Sequence, residues 1–146
     1  MEQVETDVHA ALAVEDDEAL QVVVGELFPQ LFGFGLTPVE GGALAAETDL
    51  GVLYVGVLSD FVISLEFRLE GEYRITSELL EYLNEENAGS AFLTFSALDE
   101  HVWISANVDG RPLVPAHLGR VVTYLFQAAP AVLAEISPEP DSVSQA

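Results

Sequence analysis

The apolar positions of the chain change period several times, and each change predicts an element. After Glu15-Asp16-Asp17-Glu18, apolar residues recur at Leu20, Val23, Val24, Leu27, Phe28 and Leu31, the spacing of one helical face. Asp16 or Asp17 is suited to cap this helix, because a carboxylate there meets the positive end of its dipole. Pro29 lacks a backbone donor and predicts a kink or stop near 28–32. Residues 36–48 read as a weak strand, interrupted by Pro38 and Gly41-Gly42, of the kind found at sheet edges or bulges. Residues 50–58, LGVLYVGVL, are apolar on both faces, the pattern of a strand covered on both sides. Residues 61–69 alternate. Phe61, Ile63, Leu65, Phe67 and Leu69 take one face, and Ser64, Glu66 and Arg68 take the other; Ser59-Asp60 turns the pair into a hairpin.

The second half repeats the logic. Thr76 or Ser77 caps a short helix over 77–87 with Leu79, Leu80 and Leu83 as its apolar stripe, and Asn87-Ala88-Gly89 ends it. A hairpin over 90–97 and 101–108 turns at Asp99-Glu100. The last helix spans about 115–136, starts at Pro115, and is expected to kink or split at Pro130. The element order α-β-β-β-α-β-β-α predicts an α+β fold, an antiparallel sheet of about five strands packed against helices. Domain organisation follows: a flexible acidic leader over 1–14, one folded domain over 15–137, and a disordered tail over 138–146.

Composition narrows the function classes. A chain of 146 residues, half of them hydrophobic, can bury about 70% of its unfolded surface in one domain. Without cysteine there is no disulfide, thiolate nucleophile or Cys-ligated metal. Acidic Glu2, Glu5 and Asp7 oppose a basic signal-peptide start, and no apolar run approaches the roughly 20 residues of a membrane helix. A cytoplasmic protein is expected. The 25 acidic residues face 4 arginines and no lysine, so nucleic acid and anionic lipid, which are bound through Lys/Arg, are excluded as partners. Net charge −21 keeps a chain soluble and suits a holder of basic or aggregation-prone polypeptides; acid-rich coding habits explain it equally well.

No catalytic constellation emerges. There is no G-x-S-x-G, and the three histidines, His9, His101 and His117, lack ligand spacing and read as surface residues. Gly41-Gly42 leads into a strand, unlike a phosphate cradle. The EDDE run lacks the alternating ligands and glycine of a calcium loop. Glu81, Glu85 and Glu86 read as a solvated helix face. No catalytic, cofactor-binding or metal-ligating residue is assigned, and no cofactor is expected.

Misplaced aromatics say more. With Val102, Ile104, Ala106 and Val108 on the core face, Trp103 points the other way, beside His101, Ser105 and Asn107. By the same alternation Phe92 stands with Thr94 and Ser96, and Tyr54 lies in the strand that is apolar on both sides. If helices cover one sheet face only, the reverse carries Trp103, Phe92, Tyr54 and Val62 as candidate partner-binding residues. If a helix or the N-terminal segment covers them, they are core.

Three segments carry a family resemblance: ELLEYLNEENAGSAFLTF, DEHVWISANVDG and PAHLGRVVTYLFQAAPAVLAEI. With the element order over about residues 17–136, the chain resembles the YbjN-like and type III secretion chaperones, including actinobacterial peptide-binding-chaperone-like members. The resemblance implies a non-enzymatic chaperone-like domain, a homodimer, that holds a partner polypeptide on a sheet edge and an exposed apolar face. It carries over no ligand residue. The alternatives are a homodimeric scaffold without a client and a carboxylate enzyme using a divalent metal.

Overall fold

The computed structural model describes residues 10–136; the leader's first nine residues, His9 among them, and the expected tail lie outside that range. Helix α1 runs from Asp17 to Phe32, capped by the Asp16 carboxylate, which accepts the Ala19 N–H at 2.8 Å. The helix runs through Pro29 and ends one turn later on Gly33, whose left-handed φ of 79° costs glycine little.

The expected strand 36–48 is two strands. Pro38 and the pair Gly41-Gly42, both at positive φ, fold it into a tight return between β1 (Thr37–Pro38) and β2 (Leu44–Thr48). β3 (Gly51–Leu58) and β4 (Val62–Leu69) follow, joined by a short 3-10 turn over Ser59–Phe61. Asp60 and Phe61 are both left-handed there. The strain is held by Asp17, whose carboxylate accepts the Phe61 N–H at 2.8 Å, and by the Gly110 N–H donating to the Phe61 carbonyl.

Helix α2 (Ser77–Gly89) is capped by Thr76. Its buried side is Leu79 and Leu83; Leu80, expected in the stripe, is exposed. β5 (Thr94–Leu98) is shorter than the expected 90–97 strand because residues 90–93 bend before it, and β6 (His101–Asp109) completes the hairpin. α3 (Pro115–Glu135) stays continuous through Pro130, which sits on the exposed side of the helix.

The strands form one antiparallel sheet of six in the order β1-β2-β3-β4-β6-β5, one more strand than expected. α1 packs on β3, α3 on β6 and β4, and α2 beside β5. One sheet face, with Leu53, Val55, Ile63, Leu65, Phe67, Val102 and Ile104, is buried against Leu20, Val24, Phe28, Leu118, Val122 and Leu125 of the helices. Phe28, Phe34, Phe126 and Phe67 run edge-on from α1 to the sheet, with successive ring centroids 5.8, 6.0 and 5.4 Å apart. This chain of rings anchors the segment that leads into β1. At the other hairpin end, a Cβ on Gly51 would overlap the Arg68 carbonyl, so glycine fixes the register that places Arg68 opposite Val52. No helix among the described residues is long and apolar enough to cross a membrane.

Candidate functional site

Alternation along the strands sends Val52, Tyr54, Glu66, Arg68, Trp103, Ser105 and Ser96 to the sheet face opposite the helices. Strand 50–58 is therefore covered on one side only: Leu53 and Val55 are buried, Val52 and Tyr54 half-buried, Leu58 exposed. Among the described residues, the segment before α1 does not cross this face. Leu12 instead makes an antiparallel bridge to Leu113, just before α3.

The reverse face is mostly polar around an aromatic centre. Trp103 lies opposite Arg68, and Tyr54 lies opposite Glu66, so the two rings meet diagonally across β4 with centroids 5.9 Å apart. The Arg68 guanidinium sits 5.8 Å from the Tyr54 ring centroid, a cation–π distance. The Trp103 indole N–H is shut off from solvent and has no acceptor among the described residues. Such a donor costs about 1–3 kcal/mol until something accepts from it.

From Tyr54 and Arg68 a groove of about 480 Å³ opens toward the β1–β2 edge, along Val52, Glu47, Ala45 and Thr37. Its edge is incompletely paired. β1 covers only Leu44 and Ala45, so among the described residues Glu47 has no strand beyond it. The opposite edge is closed at its start: the Asn87 side chain bonds both the N–H and the carbonyl of Phe95, and Ser90 accepts the Leu93 N–H.

Of the four candidate residues, the fold brings Tyr54 and Trp103 together. Val62 shares their face but lies six residues along β4 from Arg68, about 20 Å away. Phe92 is placed elsewhere. The expected strand over 90–97 would carry it, but β5 starts only at Thr94, and Phe92 stands in the bend before it, stacked on Tyr124 of α3 at 5.5 Å, on the helical side. The sequence places Arg68 on the polar face of its strand, where a lone arginine reads as solvated, and gives Glu47 no role. The neighbouring Tyr54 pattern was the available signal.

No curated protein matches the chain. Among solved structures, the Yersinia pestis type III secretion chaperone SycH, in complex with a stable fragment of YscM2, is similar at a TM-score of 0.57 and 15% identity. The match covers 77% of this chain and 98% of that one, a likeness of fold. Over residues 17–139 the sequence matches the model of TY-Chap1, described as T3SS (YopN, CesT) and YbjN peptide-binding chaperone 1. This α+β chain, with its sheet sheathed by helices on one face only, belongs to that peptide-binding chaperone family.

Proposed function

We propose that the protein is a non-enzymatic cytoplasmic chaperone that holds an extended segment of a client polypeptide across the reverse face of its sheet. The segment runs from Trp103 over Tyr54 and Arg68 into the groove at the β1–β2 edge. The observation that carries this reading is the Trp103–Tyr54–Arg68 cluster, an aromatic centre on an uncovered face whose indole donor lacks an acceptor. Client side chains at alternate positions would meet the rings, and the indole donor, shut off from solvent, would take a client carbonyl once the ring turns outward on binding. The open backbone beside Glu47 offers main-chain pairing at the end of the same path. Family membership supports a peptide as the ligand. The protein acts as a homodimer in this reading, which mass measurement in solution tests.

Trp103 is the only tryptophan, so the site reports on itself. Titration with a reduced, unfolded model polypeptide should shift Trp103 emission in parallel with binding followed by anisotropy of the labelled client. Trp103→Ala should remain folded and lose capture. Binding with unaltered emission, or equal capture by the variant, removes this face from the function.

A further inference from the structure

A second surface lies on the other side of the molecule, where α2, the bend before β5 and α3 meet. It is a groove of about 510 Å³ lined by Glu86, Gly89, Phe92, Leu93, Tyr124 and Ala128. Phe92 is 54% exposed although its ring lies nearly parallel to that of Tyr124, with an interplanar angle of 22°. A bulky ring held in place yet left half in water marks an interaction surface.

The one charged side chain among the described residues that line the groove is a carboxylate. Glu86 lines the groove, and Glu86 and Glu135 both act on the hydroxyl of Tyr82, which burial first and these carboxylates next push up to about 12. α2 ends here with no basic residue in its last turn, leaving the negative end of its dipole uncompensated. A second copy docked through this same groove would set its own Glu86 against this one. The residues after Ile136, SPEPDSVSQA, carry two carboxylates and neither a basic nor an aromatic side chain.

We propose that this groove docks an arginine-bearing apolar segment of a partner polypeptide, its guanidinium stacked on Phe92 and paired with Glu86. Guanidinium is the cation that suits both: it is flat enough to stack on a ring and presents a fork to a carboxylate. An adjacent apolar residue of the segment fills the space over Leu93 and Ala128. The site is separate from the Trp103 face and stands or falls without it.

The test uses a fluorescein-labelled GSLRALRGS peptide and its GSLQALQGS counterpart, with binding followed by anisotropy. The arginine probe should bind at least tenfold more tightly, and the difference should shrink as salt rises. Phe92→Ala, at an exposed position, should weaken the arginine probe at least tenfold, and Glu86→Gln, which keeps an acceptor for Tyr82, at least threefold. Trp103→Ala should leave it unchanged. Equal binding of the two probes, no binding of either, or indifference to Phe92→Ala overturns the proposal. So does a dimer that dissociates on Phe92→Ala, which gives the surface to a second copy.

Discussion

The Asn87 carboxamide occupies the place of a seventh strand beside Phe95. Its Nδ2 donates to the Phe95 carbonyl at 2.8 Å, and its Oδ1 accepts the Phe95 N–H at 2.6 Å. One side chain thereby closes the outward groups of Phe95 in the outermost strand, and Ser90 closes Leu93 next to it. Edge strands with open groups pair with other chains, so this seal directs any strand pairing to the opposite edge at Glu47.

Asn87→Ala should therefore act in two ways. Leaving both Phe95 groups without their partner should lower stability by about 1–3 kcal/mol, read from denaturant unfolding. The reopened edge should also make the protein associate in a concentration-dependent way, seen by light scattering. An Asn87→Asp variant keeps the acceptor and loses the donor, so it should fall between the two. A monodisperse Asn87→Ala protein of native stability would show that the seal is decorative.

The turn of the last hairpin is a place where the sequence opposes its own backbone. Asp99 and Glu100 are at φ of 53° and 66°, the left-handed pair of a two-residue hairpin turn that favours Asn-Gly. Glu100 is exposed, and the contact it makes here uses its backbone carbonyl, which accepts the Tyr73 N–H at 2.6 Å. Glu100→Gly keeps that bond and relieves the strain. It should raise stability by about 0.5–1 kcal/mol, visible as a higher melting temperature, whereas Glu100→Val should lower it.

The hydrophobic period made most of the fold legible. The helices, the alternation of 61–69 and 101–108, and the Asp16 and Thr76 caps all follow from spacing that packing then rewards. Two departures have physical causes. Residues 90–93 carry Phe92 and Leu93 and read as strand, but the Asn87 seal and the Ser90 bond bend the chain there, which moves Phe92 to the helical side. Pro130 predicts a kink or a split in α3, yet the helix is continuous there and Pro130 is on the solvent side, where water can serve the freed carbonyl. The Trp103–Tyr54 pairing was legible as a shared face but not as a contact, because their strands meet only through β4. The register that makes them diagonal neighbours depends on hairpin lengths that single-strand patterns do not encode.

Alkaline pH offers a check on the burial of Tyr82 on α2. Tyr82 donates to Glu86 at 3.3 Å, and burial and then the nearby carboxylates raise its pKa from 10.0 to about 12; burial and then Glu70 raise that of Tyr73. A phenol that ionises later in the folded than in the unfolded chain stabilises the fold fully below pH 10, and the contribution fades between about 10 and 12. Thermal unfolding should be flat from pH 8 to 9 and drop above 10. Tyr82→Phe should lose less between pH 9 and 11 than the unmodified protein. An equal loss in both would assign the alkaline limb to other groups.

Trp103 separates packing from recognition. The ring is half-buried on a face without a second layer, so Trp103→Ala should cost about 1–2 kcal/mol, less than the 3–5 kcal/mol of emptying a core position such as Phe67. Trp103→Phe should stay within about 1 kcal/mol of the unmodified protein, since it removes the unpartnered N–H along with some contact area. The two variants diverge in binding. If a client carbonyl accepts from the indole, the phenylalanine variant should lose about three- to tenfold in affinity despite its intact stability. Arg68→Met, which keeps the length of the stem beside Tyr54 and discards the charge, should weaken binding without unfolding the sheet. Should all three variants bind a client as the unmodified protein does, the aromatic centre serves the fold alone and the client lies elsewhere.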